Sequence, residues 1–144
     1  MIEMAVDDRF QLQRFVDAQE PEYETVLVEL RAGRKRGHWM WFIFPQIVGL
    51  GRSAMAQRFA LSSLEEASAY LAHPVLGRRL RECAMLVAGI SGRSITEIFG
   101  HPDDMKFRSS MTLFARAASD EPIFATCLRQ YFGGEPDPQT LANL

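Results

Sequence analysis

The stretch SSLEEASAYLAHPVLGRRLRECAMLVAG, residues 62–89, decides the fold. It opens on Ser62 and Ser63, followed three residues on by Glu65 and Glu66. A serine that accepts a hydrogen bond from the third helical N–H, with a glutamate reaching back, is a capping box, and it starts a helix. Ala67, Tyr70 and Leu71 then fall on one face at helical spacing. His73-Pro74 stops this helix, and Pro74, which has no N–H to satisfy, suits the first position of the next. Val75, Leu76, Leu80, Cys83, Ala84 and Val87 trace the apolar face of that second helix, which Gly89 or Gly92 ends.

The same punctuation runs outward in both directions. Downstream, Ser94-Ile95-Thr96-Glu97 repeats the capping box, and Gly100 stops a short helix after Phe99. Pro102, Asp103 and Asp104 suit the first turn of a longer helix carrying Met105, Phe107, Met111, Leu113, Phe114 and Ala118. Pro122 opens another, with Ile123, Phe124, Cys127, Leu128 and Tyr131 inside and Gly133 after it, and Asp137-Pro138 begins a last short turn. Upstream, Phe10, Leu12, Phe15 and Val16 mark a first helix over residues 9–19, with Asp7 or Asp8 as its cap. Pro21 fits the first turn of a second, in which Tyr23, Val26, Leu27 and Leu30 precede a closing Gly33, and residues 53–61 read as another short helix. No long alternating strand, repeat or linker interrupts the series. The expectation is an all-α, single compact domain of about eight short helices over residues 1–144.

The totals fit that fold and narrow the function. The chain has 144 residues, 47% of them hydrophobic and 24% charged, enough to close a core without a metal or disulfide. A net charge of −2 provides no basic field for DNA or RNA, so no nucleic-acid partner is expected. Cys83 and Cys127 stand apart, in neither a CxxC nor a Cys/His ligand spacing, and read as buried thiols of a cytoplasmic protein. No cofactor motif is present. The N-terminal MIEMAVDDRF has no apolar segment of a secretory signal, and the run from Trp39 to Phe44 is far too short to cross a bilayer.

The segment HWMWFIFPQIVGLG, residues 38–51, breaks the pattern. It follows Arg34, Lys35 and Arg36 and holds both tryptophans, Trp39 and Trp41, with Phe42, Phe44 and Pro45. Pro45, Gly49 and Gly51 interrupt regular structure, which makes it a helical turn or extended piece and then a buried loop. Aromatic faces beside fixed positive charge can hold a planar or anionic ligand. The same residues can equally be the densest part of the core, and the arginines a solvated face at a helix C-terminus.

A second polar group is His101, Asp103, Asp104, Lys106, Arg108, Ser109, Ser110 and Thr112. Asp104, Arg108 and Thr112 share one helical face at four-residue spacing, and Lys106, Ser109 and Ser110 share another. Plain helix capping and solvation explain the same residues. The ligand-binding candidates are therefore Arg34, Lys35, Arg36, Trp39, Trp41, Arg52, Lys106, Arg108 and Ser109. The candidate catalytic groups are Asp103, Asp104 and His38. Convergence of the two basic groups on one cleft would call for an anion, and Arg108 would otherwise pair with Asp104. No metal is expected, because His38 has no Cys or acid at ligand spacing.

The segments RFVDAQE, ELRAGRKRGHWMWFIFPQIVGLG, AYLAHPVLGRRLREC and IFGHPDDMKFRSSMTLFARA together resemble the DUF1810 family, from about Arg14 to Leu141. The resemblance implies a mainly α-helical single domain and no established activity. That family is sometimes labelled calpastatin, but calpastatin inhibitory segments are disordered and this composition forms a core. The order of HPVLGRRL, an Asp/Lys/Arg helix start and a Ser/Thr-rich helix is also similar to NADAR-type domains, which implies action on an N-glycosidic bond. Three function classes follow. The first is a domain that binds a small polar or anionic, nucleotide-like metabolite between residues 34–53 and 101–112. The second is an enzyme in which Asp103 or Asp104 stabilises an oxocarbenium ion or activates water. The third is a protein-interaction module that packs a partner on its aromatic segment. Nothing in the sequence fixes an oligomeric state.

Overall fold

The computed structural model describes residues 8–144, and Asp7, one of the two expected caps, lies outside them. Ten helices follow in order: α1 (Gln13–Gln19), α2 (Tyr23–Arg31), α3 (Met40–Ile43), α4 (Ala54–Arg58), α5 (Leu64–Ala72), α6 (Leu76–Ala88), α7 (Ile95–Phe99), α8 (Asp103–Ala117), α9 (Pro122–Phe132) and α10 (Pro138–Ala142). Among the described residues the sole sheet-like contact is an isolated parallel bridge, Ile47 with Leu61. The fold is all-α, with ten helices in place of about eight. The additional ones are single turns: α3 inside the aromatic segment, and α10 after Asp137.

Helix starts fall where the chemistry places them. Ser94 and Glu97 exchange both bonds of a capping box at α7. Ser63 caps α5 through the N–H of Glu66, but the Glu66 carboxylate takes the N–H and hydroxyl of Ser62 instead of closing the box on Ser63. Its other oxygen meets Arg14 at 3.2 Å, so this buried acid joins α5 to α1. Asp8 accepts the N–H of Leu12 at 2.6 Å, one turn ahead of α1.

Helix α8 is the centre. It packs against α5, α7, α9 and α10, and a run from Ser109 to Phe114 is buried on every side. A helix surrounded by others cannot show a narrow apolar stripe, which is why polar Ser110 and Thr112 lie inside with Phe107, Met111 and Phe114. Two aromatic clusters fill the interior. Phe44, Phe99 and Phe107 meet at centroid distances of 5.0–5.9 Å, with Trp39 against their edge. Phe15, Tyr70, Phe114 and Phe124 form the other, continued by Phe59 and Phe42. Buried Gln19 ties the layers, donating to Phe42 O at 2.7 Å and to the Tyr70 hydroxyl at 3.0 Å, and accepting from Arg79 at 3.3 Å. Gly77 lets α6 cross beneath the end of α5, since any Cβ there would strike the carbonyl of Leu71.

His73 sits between α5 and α6. Its Nδ1 accepts from the N–H groups of Val75 at 3.1 Å and Leu76 at 3.3 Å, so it caps the next helix as a serine would. That role needs Nδ1 unprotonated. Burial pushes the ring's pKa below the usual histidine value, against a smaller upward pull from Asp8. The unfolded chain therefore takes up the proton first as pH falls. The cap contributes fully above the unfolded value of about 6.5 and is lost as pH drops through the lower folded value. His73→Ala should cost about 0.5–2 kcal/mol at neutral pH. His73→Asn keeps an acceptor that does not titrate, so wild-type urea stability should fall relative to it on acidification. Parallel pH profiles for the two proteins would refute the assignment.

Candidate functional site

Residues 34–39 turn sharply out of α2, and one carboxylate holds the turn. Glu29 Oε1 accepts the N–H of Arg36 at 2.8 Å, the N–H of Gly37 at 3.0 Å and the Trp39 indole N–H at 2.9 Å. Burial alone would raise the Glu29 pKa, but these bonds and nearby Lys35 outweigh it and hold the carboxyl below the usual range. Trp39 is thereby fully buried with its polar edge satisfied. Glu29 gave no signal in the sequence, because its partners lie 7–10 positions away across the Gly33 turn.

Beside it, a lysine from each basic group meets at Asp103. Lys35 Nζ lies 2.7 Å from Asp103 Oδ2, and Lys106 Nζ lies 3.2 Å from Oδ1. Lys35 also donates to Gly37 O at 2.5 Å, and its own N–H donates to Ile98 O at 2.7 Å, which joins the turn to α7. The two ammonium groups sit over the tryptophans, Lys35 at 5.3 Å from the Trp39 ring and Lys106 at 4.7 Å from the Trp41 ring. Lys35 and Lys106 thus come together, but on Asp103 and not on the one cleft that was expected, and the anion between them belongs to the chain itself. Two acids, Glu29 and Asp103, stand against two bases, Lys35 and Lys106, so the centre is electrically balanced.

The arginines go elsewhere. Arg34 and Arg36 are exposed on the rim of an open apolar groove along α2, with Val28 in it, and Arg52 is exposed beyond Gly51. Arg108 turns from Asp104 to the α9–α10 connection, donating from Nε to Glu135 O at 3.0 Å and from a terminal nitrogen to Pro136 O at 3.1 Å. Ser109 lies 2.9 Å from Asp137 Oδ2, which also accepts the N–H and hydroxyl of Thr140 and so caps α10. Asp104 is buried, accepting from Thr96 Oγ1 at 2.7 Å and lying 3.0 Å from His101 Nδ1. His38 is exposed. Among the described residues no group of three or more His, Cys, Asp or Glu is placed to hold a metal ion. Both thiols are buried, which pushes Cys83 and Cys127 up to about 12. Such thiols are poor nucleophiles.

A cavity of about 420 Å³ opens between α3, the 46–51 loop and α4. Its wall is made by Trp41, Gln46, Ile47, Val48, Gly49, Gly51, Ala56, Gln57, Phe59 and Ala60, and it contains no charged side chain. The Ile47–Leu61 bridge fixes the loop, with Leu61 N–H on Gln46 O at 2.9 Å and Val48 N–H on Leu61 O at 2.8 Å. Gly49 has φ of +99°, a conformation few other residues adopt, and Asn143 just beyond α10 packs against it. Trp41 belongs to both regions, as it lines the cavity and lies under Lys106. Asp103, Asp104 and His38 do not line it. Gln46 and Gln57 escaped the sequence reading because an amide leaves no mark in charge or periodicity.

This arrangement defines an all-α domain with a neutral aromatic cavity beside a balanced charge cluster. The chain belongs to the DUF1810 family, described as a protein of unknown function, with the match covering residues 9–144. It is similar to the conserved hypothetical protein Rv1873 from Mycobacterium tuberculosis, known from a crystal structure, at 60% sequence identity and a TM-score of 0.94. That likeness covers 95% of this chain and 98% of the other. No curated protein matches the chain. Among the described residues no helix is long and apolar enough to cross a membrane.

Two substitutions separate support from site. Trp39→Ala should cost about 3–5 kcal/mol of unfolding free energy, as expected for a buried tryptophan, and Trp41→Ala distinctly less. Equal losses in denaturant titration would contradict the different burial of the two rings. Arg108→Ala should lower stability by about 1–3 kcal/mol, because two backbone carbonyls lose their charged donor. An unchanged midpoint would show that the α9–α10 connection holds without it.

Proposed function

We propose that this chain is a cytoplasmic binding domain for a small, uncharged, polar metabolite with a planar ring, seated in the Trp41 cavity. One observation carries the reading: a ligand-sized cavity, open to solvent on one side, whose lining joins Trp41 to Gln46 and Gln57 and includes no charged residue. Trp41 supplies a stacking face whose indole is polarised by the Lys106 ammonium. Gln46 and Gln57 supply hydrogen-bonding groups. An anion would gain little here, since Lys35 and Lys106 are already engaged by Asp103. The buried, unpaired thiols suit a reducing compartment.

The test is a fluorescence titration and thermal-shift series with neutral nucleosides, their monophosphates and inorganic phosphate. Nucleosides should quench tryptophan emission and raise the melting temperature, and monophosphates should do so more weakly. Trp41→Phe should lose the quench, because the remaining Trp39 is sealed in the core. An equal quench in Trp41→Phe, or a thermal shift reproduced by phosphate alone, overturns the reading.

A further inference from the structure

The geometry points to Gln46 as the residue that selects the ligand, by pairing its side-chain amide with a ring edge carrying a hydrogen-bond donor next to an acceptor, as in a cyclic lactam. This rests on the cavity reading above and adds the class of ligand. Four observations lead to it. First, the backbone of Gln46 is fixed at the cavity, since its carbonyl accepts from Leu61 and the next residue forms the parallel bridge. Second, its side-chain amide makes no hydrogen bond to any described residue, although the residue is half-buried in the cavity wall. Third, Gln57, the other amide, is partly used, donating to Arg52 O at 3.1 Å. Fourth, Trp41 lines the same cavity.

A free primary amide presents N–H and C=O side by side in one plane. Its complement is another planar edge with acceptor and donor in the reverse order, which forms two parallel hydrogen bonds. A site that offers such a pair favours a ligand edge carrying both members over an analogue lacking one, because the analogue forgoes one of the two bonds. A carboxylate ligand would present two acceptors, with no second donor to receive one of them. The absence of charge in the wall argues against it for the same reason.

Inosine and 1-methylinosine test this, since they differ in the ring N–H of the lactam and are both neutral. Inosine should bind wild-type protein about tenfold more tightly than 1-methylinosine, the difference a lost pair member produces. Gln46→Glu replaces donor-plus-acceptor with two acceptors. It should weaken inosine by a similar factor and spare guanosine, which offers two adjacent donors. Gln46→Leu should abolish the discrimination, with the unliganded melting temperature confirming that each variant folds. If inosine and 1-methylinosine quench Trp41 equally, the assignment of Gln46 fails while the cavity reading stands. A Gln46→Glu protein that keeps the wild-type preference also overturns the assignment. If neither nucleoside changes Trp41 emission, the cavity reading falls and this inference with it.

Discussion

Three N–H groups on one oxygen of Glu29 set the course of the chain on which the rest depends. The bonds from Arg36, Gly37 and Trp39 close the turn out of α2 and draw the first of the segment's two indoles inward. With Trp39 in place, Phe44, Phe99 and Phe107 complete the cluster that locates α7 and α8. Trp41, two positions on and within α3, then has to face outward from that cluster. The contrast between a sealed tryptophan and a partly buried one thus follows from the placing of a single carboxylate.

The charges around that turn serve the fold more than they serve a ligand. Lys35 and Lys106 come from distant segments and would repel if they met alone. Asp103 separates them, and the three side chains tie the 34–39 turn to the start of α8. With its ionic groups satisfied in this way, the chain leaves the adjoining cavity neutral. For the proposed ligand, recognition there would rest on shape, stacking and directed hydrogen bonds, which discriminate between uncharged molecules better than an open ionic site does.

The fold was legible in the sequence because its signals are local. Ser94 with Glu97, Pro122 at the start of α9 and left-handed Gly133 at its end each act within a turn of the helix they bound. The aromatic segment was legible as a region, though its single turn α3 was too short for periodicity to separate from a loop. The site was legible only in part. Lys35, Lys106 and the tryptophans were picked out by residue type, and their meeting at Asp103 depends on a tertiary path that no spacing encodes. Arg108 was a ligand-binding candidate, with Asp104 one turn earlier as its alternative partner, yet the backbone of Glu135 and Pro136, brought back by the α9–α10 connection, offers it two carbonyls. Glu29 carried no local signal at all, since it gains its role from partners across a turn, and the role proposed for Gln46 rests on a side chain that no spacing marks.

The two buried thiols give the molecule an internal clock. Cys83 lies on α6 and Cys127 on α9, with the Cys127 thiol 3.6 Å from the carbonyl of Ala84 across the contact between those helices. A reagent that modifies thiolates cannot reach either sulfur in the closed molecule, and few thiolates exist there to react. The rate at which Cys127 is labelled therefore measures how often α6 and α9 part, and that of Cys83, whose thiol lies 3.8 Å from the Tyr23 hydroxyl, how often α6 and α2 part, on the same scale as hydrogen exchange of their amides. A molecule seated at Trp41, on elements away from this contact, would change that rate only if the cavity and the α6–α9 seam open together.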